Sequence, residues 1–507
     1  MSTTTSTRSW QRTEGTPTRT YGNWVEQKGV GIAGAGLVGT AVLIGGLVVI
    51  MMAMLIAGPI GAVVVGAVVA VAFLATGTPL GTKTVRRYGY RRARRAREHQ
   101  FRSGVFTRNS NPAIRLPGLL GRTSLLEKTD AFGAPFVVIK NPSRGGMYTI
   151  VAKCVADGPW MQDQEQLDAW VAGWSRVLTA AGQEPGLIGG KAIIDTAPDP
   201  GGRLAAAEAA RRSPNAPALA AQVMDECVAA YPASSSENVT YVELTFRARD
   251  LDRKGNEDRI LSELSRRVPG LMGRLGSAGG GAVTMLTKAE LPAIVRVAFD
   301  PAAAPFLEQA AIHSPDHPDL AIDWSDAGPV AYQDFWDRFV HDSGVSVTWE
   351  MFGAPRAAIT ELSAAALLMP HSDFARKRVA LVFRPKSPEA SVKASESDAN
   401  ASMFMSSQGK KRTTALQKMR VRATEQSREE VAAGAVMVQF SLLVTVTVTS
   451  PDGLDQAAST LAARAGTVPL RLRRCYGSQA AGFATTLPAG FVPWEHTVIP
   501  DRVREVM

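Results

Sequence analysis

The feature of this sequence that most constrains its fold is a long segment without charge. Between Lys28 and Lys83 lie 54 residues with no charged side chain, most of them Gly, Ala, Val, Leu, Ile and Met. A helix that crosses a bilayer needs about 20 apolar residues, and a lone segment in lipid satisfies its backbone polar groups only as a helix. The segment is long enough for two crossings. A cleaved signal peptide and a buried pair of core helices are less favoured, because the segment is too long for the first and too free of charge for the second.

A glycine–proline pair divides this segment. Gly58 tolerates dihedral angles that other residues avoid, and Pro59 cannot continue a helix from the residues before it. We therefore predict a two-helix transmembrane hairpin in residues 29–80, with spans at about 32–56 and 60–76. A polar tail, residues 1–28, precedes it.

A strongly basic run, residues 83–97, follows the predicted hairpin and contains eight cationic side chains and no acidic one. Positive charge beside a span stays in the cytoplasm, and anionic lipid headgroups attract each cation by about 1 kcal/mol. We therefore predict a multi-pass protein of the inner (plasma) membrane with both termini cytoplasmic, and with Tyr88 and Tyr90 at headgroup depth. The predicted membrane-surface anchor comprises Lys83, Arg86, Arg87, Arg91, Arg92, Arg94, Arg95 and Arg97.

The distribution of charge bears on nucleic acid as a partner. The chain has 56 Lys and Arg against 46 Asp and Glu, a net charge of +10, and residues 1–110 alone contribute +11. The rest of the chain is therefore nearly neutral, which argues against a broad phosphate-binding surface there. Binding of nucleic acid by the basic run itself stays an alternative, less favoured than the membrane surface.

Beyond a basic juxtamembrane segment and linker, residues 81–130, the pattern is that of an α+β protein. Two β-branched runs, 135–140 and 147–156, predict strands, and apolar residues at helical spacing over 167–181 predict a helix. We expect a cytoplasmic region of mixed sheets with helices packed on one face, divided into a first α/β region, 131–343, and a second α+β region, 344–507.

The second region has the clearest local signals. Val and Thr alternate through residues 440–450, which predicts a half-buried strand, and Ser450-Pro451 then has the composition of a helix N-cap. Residues 468–474 read as the next strand. Residues 386–433 predict long exposed helices or a partly mobile arm, broken at Gly409, and the glycine-rich residues 270–281 predict a loop.

The sequence offers no arrangement of residues for catalysis. The Walker pattern is absent, and its nearest imitation, GTPLGTKT at 77–84, has the wrong spacing between its glycines. The histidines of HSPDHPD, 313–319, are separated by prolines that prevent a shared helical face, so we expect no metal site. The cysteines are far apart and predict no disulfide framework. We expect no enzyme activity, no cofactor and no catalytic residue.

The carboxyl-terminal segment resembles a known family. A charged helix (412–432), a Thr-rich strand, a capped helix, a strand and a Leu-Pro phrase follow in order, and residues 434–490 read GAVMVQFSLLVTVTVTSPDGLDQAASTLAARAGTVPLRLRRCYGSQAAGFATTLPAG. This order resembles the end of the amino-terminal domain of the VirB/TrbE/CagE-type ATPases of conjugative type IV secretion systems. In that family a nucleotide-binding motor follows the Leu-Pro phrase, whereas this chain ends at Met507. The hairpin is similar in arrangement to a PrgI/VirB-type two-span inner-membrane subunit, and the whole resembles an SCO-type, actinobacterial conjugative membrane protein.

The resemblance implies a non-catalytic inner-membrane scaffold of a conjugative DNA-transfer or type IV-like secretion machine. Its implied partners are a separate Walker-containing secretion ATPase, docked at the cytoplasmic face, and other inner-membrane secretion subunits within an oligomeric complex. One alternative is an EccE-like accessory membrane component of a type VII secretion system, which also has two amino-terminal spans before a cytoplasmic domain. Another is a membrane-tethered DNA-binding protein that uses residues 86–97.

Overall fold

The computed structural model describes residues 36–75, 79–103, 116–156, 158, 162–313, 321–353, 361–407, 415–468 and 470–496. It is an α+β protein, as the sequence predicted at this coarse level, and it has one apolar amino-terminal helix where the sequence predicted a two-helix hairpin. That helix, α1 (Gly36–Ala75), includes a stretch, Val42–Ala70, that is the one helix in the described part of the chain long and apolar enough to span a membrane. The helical dihedral angles are interrupted at Gly58, where φ is 67° and ψ is −165°.

Thirteen strands and thirteen further helices follow in the described ranges. The strands are β1 (Gln100–Arg102), β2 (Ser124–Thr129), β3 (Pro135–Asn141), β4 (Met147–Val155), β5 (Leu187–Pro198), β6 (Ser236–Arg247), β7 (Ala282–Met285), β8 (Ala331–Asp334), β9 (Phe339–His341), β10 (Gly344–Met351), β11 (Arg376–Pro385), β12 (Val438–Val448) and β13 (Leu472–Arg474). The helices are α2 (Pro79–Arg95), α3 (Gln164–Gln183), α4 (Gly202–Arg211), α5 (Ala218–Ser234), α6 (Ala248–Leu251), α7 (Glu257–Leu275), α8 (Glu290–Phe299), α9 (Ala304–His313), α10 (Glu361–Leu368), α11 (Pro388–Ser407), α12 (Ala415–Ala432), α13 (Leu454–Thr467) and α14 (Gln479–Thr485).

All these strands belong to one sheet, whose order is β1-β8-β9-β10-β12-β11-β5-β6-β4-β3-β2, with β13 on β10 and β7 on β4. Every pairing of the described strands is antiparallel. The expected mixed sheets are therefore a single antiparallel sheet that runs through both predicted cytoplasmic regions. The predicted division between residues 343 and 344 falls in the turn between the paired strands β9 and β10.

The sheet is built from two halves with the same order of elements. Each half has three strands, a helix, a strand, a pair of helices, a strand, a helix, a short strand and a helix: β2 to α8 in the first half and β8 to α14 in the second. The one-turn helix α6 is an addition to the first half. The strand order is symmetric about the central pair, β5 and β11, so the chain contains an internal structural duplication.

The two ends of the sheet carry different connections. β10 and β11 are both antiparallel to β12, so both finish at the same end, which we call the β10 end. β5 is antiparallel to β11 and finishes at the opposite end, which we call the far end. The helical pair α11–α12 follows β11 and leaves from the β10 end, whereas the pair α4–α5 follows β5 and leaves from the far end.

Helices cover both faces of the sheet, so the expectation of helices on one face is wrong. Successive strand residues point to opposite faces, and on β3 Val138 packs in a cluster with α7, whereas Val137 packs in a cluster with α8. The helix α14 contributes Phe483 to the α8 side, and α13 contributes Leu461 to a cluster with β12. Both faces are needed because strands in the middle of the sheet are apolar on both sides.

Three local predictions need correction. Residues 270–275 continue the helix α7, and a π-helical turn follows over residues 276–280, so the glycine-rich segment is only in part a loop. Thr445 and Thr447 are buried like the valines beside them, because their hydroxyls bond to Thr348 and Ser346 on β10. Of the described residues of the strand predicted at 468–474, the last three are paired as β13 and the others are not. The predicted break at Gly409 lies outside the described residues.

Candidate membrane-proximal site

Most of the predicted basic anchor lies on the helix α2, which follows α1 after three residues. Within the described side chains, six of its arginines are exposed to solvent, and Arg97, with φ of 58°, ends the helical segment in a left-handed conformation. The exposed members are Arg87, Arg91, Arg92, Arg94, Arg95 and Arg97. The side chain of Lys83 lies outside the described part. The run is therefore a helix with a cationic outer surface, available to an anionic partner.

Arg86 is the member of the predicted anchor that faces the sheet. Its Nη2 lies 3.0 Å from Oε1 of Glu350 on β10, and Arg473 on β13 reaches the same oxygen at 2.5 Å. One carboxylate thus joins the helix to two paired strands. The prediction that all eight cations face the membrane surface needs this correction, since Arg86 is held by an acidic residue that the sequence did not mark as its partner.

Aromatic contacts continue this attachment one helical turn later. Tyr90 packs edge-on against Trp336, with ring centroids 5.2 Å apart, and Trp336 stacks on Tyr476. Partial burial raises the pKa of Tyr90. Tyr90 is therefore part of a protein contact rather than at headgroup depth, whereas Tyr88 is exposed. Gly477 is required here, because a side chain at that position would overlap the Trp336 ring.

The order of contacts along α2 orients the sheet. Arg86 meets Glu350 near the β10 end, and Tyr90 meets Trp336 in the turn that precedes β9. Further along, the carbonyl of His99 accepts a hydrogen bond from the amide of Asp334, and β1 then pairs with β8. Because α2 starts directly after the apolar helix, the β10 end is the end of the sheet nearer to α1.

A buried ion pair attaches the carboxyl-terminal Leu-Pro phrase to the first half. Lys191 on β5 and Glu243 on β6 lie 3.0 Å apart and are fully buried. Lys191 donates to the carbonyl of Leu487, and Glu243 accepts from the amide of Gly490. Burial lowers the pKa of the lysine and raises that of the carboxyl, while the ion pair opposes both changes. Sequence reasoning missed this pair, because neither residue has a partner at a recognisable spacing.

A polar network in the second half occupies the same side of the sheet. His341 lies between the carbonyl of Phe299 and the hydroxyl of Ser346, and burial lowers its pKa to about 3. Its imidazole is therefore neutral at physiological pH. Arg378 is fully buried, with its guanidinium 4.6 Å from the Phe483 ring centroid. His341 and Ser346 are enclosed by core side chains and bonded to each other, which gives them a structural role. Among the described residues, Arg378 bonds through Nε to the hydroxyl of Thr486, and its two terminal nitrogens are buried without a hydrogen-bond partner.

A cavity of about 830 Å³ lies beside α8 and α9, with Arg203, Tyr241 and Arg376 in its lining. Its arginines already have carboxylate partners, since Arg203 binds Glu237 and Arg376 binds Asp195. In the part of the chain described above, no group of three or more His, Cys, Asp or Glu side chains could hold a metal ion. The three cysteines are free thiols, with Cys227 exposed.

Comparison with known proteins adds one finding. A family model described as a domain of unknown function (DUF8461) matches residues 28–87, which are 60 of the 507 residues. The match includes all of α1 and the start of α2, so the apolar helix and the beginning of the basic helix belong to one recurring unit. A comparison with curated proteins found no match.

Proposed function

We propose that this protein is a non-catalytic inner-membrane scaffold of a conjugative DNA-transfer or type IV-like secretion machine, which holds a separate Walker-containing motor ATPase at the cytoplasmic face. The observation that carries this proposal is that α2 and the helical pair α4–α5 are attached at opposite ends of one sheet. The membrane-linked helix α2 is attached toward the β10 end, through Arg86 and Glu350. The helical pair α4–α5 leaves from the far end, where a cytoplasmic partner can reach it.

The helix α5 has the character of a docking surface. Leu219 and Val223 lie four residues apart, which places them on one side of the helix, and they are 73% and 51% exposed. Contiguous exposed apolar patches mark protein–protein interaction sites, and we propose that these two side chains belong to one. The proposed occupant is the motor ATPase, because the sequence resembles the domain that carries such a motor in the same chain.

We further propose that α1 is folded as a two-span hairpin, with both chain termini in the cytoplasm. In one straight helix, Gly46 and Val69 would be about 34 Å apart at 1.5 Å per residue. However, a methyl group on Gly46 would overlap Val69, and a methyl group on Gly66 would lie 3.9 Å from Ile50. The non-helical dihedral angles at Gly58 supply a point of reversal between these pairs.

Topology can be measured with fluorescent-protein fusions that mature only in the cytoplasm. If the hairpin is present, fusions at residue 1 and at residue 507 both fluoresce in the native host. If the amino-terminal fluorescent fusion is dark, and a reporter that is active only in the periplasm gives a signal at the same position, α1 crosses the membrane once.

The scaffold role is tested by purifying the tagged full chain from native membranes in mild detergent. We expect a Walker-containing ATPase and conjugation proteins to co-purify, and the Leu219→Ser/Val223→Ser variant to lose the ATPase. Val392→Ser, at an exposed valine of α11 on the other helical pair, is the matched control and retains it. Normal DNA transfer in a clean deletion strain, or co-purification of type VII components instead, would overturn the proposal.

A further inference from the structure

A cluster of two arginines around an exposed phenylalanine lies at the β10 end of the sheet. It is separate from the predicted basic anchor and from the docking surface proposed on α5. Phe352 directly follows β10 and is 49% exposed. The guanidinium carbons of Arg473 and Arg471 lie 4.7 Å and 5.4 Å from its ring centroid. The amide of Phe352 donates to the carbonyl of Arg471, which fixes the ring beside these cations. We call Phe352, Arg471 and Arg473 the β10-end cluster.

The position of this cluster follows from the contacts of α2. Arg86 lies seven residues after the first residue of α2, or about 10 Å along the helix, and it shares Glu350 with Arg473 of the cluster. Phe352 lies two residues beyond Glu350, in the direction away from Tyr90 and its contact with Trp336. Along α2, the cluster therefore lies beyond the Tyr90–Trp336 contact toward the start of the helix, which is the end nearer to α1.

The charges of the cluster are only in part neutralised. Glu350 serves both Arg86 and Arg473. Among the residues that the structure describes, no ion pair to Arg471 is present, and its side chain is exposed. A guanidinium group binds phosphate oxygens with two parallel hydrogen bonds. Phenylalanine is one of the side chains that interfacial helices bury at the boundary between headgroups and acyl chains.

We propose that the β10-end cluster binds anionic lipid headgroups, with Arg471 on a phosphate group, Phe352 at the boundary with the acyl chains, and Arg473, which donates to Glu350 through Nε and Nη2, adding positive charge beside them. The sheet then rests on the membrane by its β10 end and presents α4–α5 to the cytoplasm. This inference rests on the proposed insertion of α1 in the membrane, but it does not depend on the identity of the ATPase partner.

The experiment uses the full chain in nanodiscs of phosphatidylcholine with or without phosphatidylglycerol. In a Cys227→Ser background, a fluorophore is attached at Gly353→Cys, where a side chain meets no atom within 4 Å. The control is Phe132→Cys, an 86% exposed site in the turn between β2 and β3. Headgroup spin-labelled lipid quenches fluorophores that touch the surface. We expect strong quenching at 353 that increases with phosphatidylglycerol, and none at 132.

The Arg471→Gln variant is expected to lose most of the phosphatidylglycerol-dependent quenching at 353, whereas Arg211→Gln, an exposed arginine of α4, leaves it unchanged.

Insertion of α1 is followed separately by flotation with the nanodiscs, and ATPase binding by co-purification. Equal quenching at 353 and 132, or no quenching at 353 in a protein that floats, would overturn the inference while leaving the scaffold proposal intact. Loss of flotation would instead contradict the membrane anchor and, with it, the inference. Competition by added DNA would assign the cluster to nucleic acid.

Discussion

The two halves of the sheet have the same order of elements but use opposite ends for their long helical pairs. In the second half, the pair α11–α12 and the attachment of α2 share the β10 end. In the first half, the pair α4–α5 leaves from the far end and exposes apolar residues. An antiparallel contact between duplicated halves produces this arrangement, because the central strands β5 and β11 run in opposite directions. The duplication therefore places one helical pair at each end of the sheet, and the attachment of α2 distinguishes the β10 end from the far end.

The polar cores of the halves share a buried threonine pair between equivalent strands, Thr149 with Thr245 and Thr348 with Thr445, but they differ in their other buried groups. In the described part of the first half, Lys191 and Glu243 form a fully buried ion pair that binds the Leu-Pro phrase of the second half. The second half buries hydroxyl groups, such as Ser346 and Thr447, that bond to each other and to His341. The ion pair therefore joins the halves, whereas the hydroxyl network holds together neighbouring strands of one half. Four changes test how the two halves and their ends depend on one another.

The largest effect is expected for the ion pair. Lys191→Met leaves the Glu243 carboxylate buried without its partner, and breaking a buried pair in this way costs about 3–5 kcal/mol. Urea unfolding of the full chain in detergent measures the loss. Lys191→Met/Glu243→Leu removes both charges and should recover much of the stability. A single variant as stable as the unchanged protein would show that this pair does not join the halves.

The second change compares equivalent helices of the two halves. Leu264→Ala in α7 and Leu461→Ala in α13 each truncate a buried leucine, which costs about 2–5 kcal/mol in a packed core. Because one sheet runs through both halves, each variant should shift a single unfolding transition recorded by circular dichroism. Two transitions, with only one of them moved by each variant, would mean that the halves unfold independently.

The third change uses pH. Lys377 caps the carboxyl end of α10 through the carbonyls of Leu367 and Met369, and burial, together with the charge of Arg464, lowers its pKa to about 7. Between about pH 7 and the ordinary lysine pKa of 10.5, the unfolded chain holds a proton that the folded chain lacks. Stability should therefore rise with pH in this window, by up to about 1.4 kcal/mol per unit. Lys377→Met should flatten that rise, and an unchanged slope would contradict the assignment.

The smallest effect on stability is expected at the attachment of α2. Arg86→Gln removes an ion pair whose side chains are 36% and 28% exposed, and such pairs contribute about 0–1 kcal/mol. The unfolding midpoint should hardly move, but hydrogen exchange in α2 should increase. Arg87→Gln, one residue away and exposed, is the control and should leave exchange unchanged. Equal exchange in both variants would show that Glu350 does not position the helix.

Much of the fold could be predicted from the sequence, because its signals are local. The β-branched runs at residues 135–140 and 147–156 predicted two strands, which the structure has as β3 and β4, and the Ser450 cap was confirmed by its bond to the amide of Asp452. The duplication could not be predicted, since it depends on pairings between residues nearly 200 positions apart, such as Ile194 with Val379.

The candidate site could be predicted only in part for the same reason. The cationic character of residues 83–97 is visible in the composition, but the partner of Arg86 is 264 residues away. The alternation of Val and Thr in β12 predicted that the threonine side faces solvent. The sequence does not distinguish a buried threonine from an exposed one, because burial depends on a hydroxyl partner on β10.

The central claim is that the far end of the sheet holds the motor ATPase while the β10 end faces the membrane. Photo-crosslinking in the native host tests it most directly, with a benzophenone amino acid at position 219 on α5 and, for comparison, at position 392 on α11. The account predicts that position 219 crosslinks to a Walker-containing ATPase and that position 392 does not. An ATPase crosslink at 392 alone, or crosslinks from 219 to lipid, would contradict it.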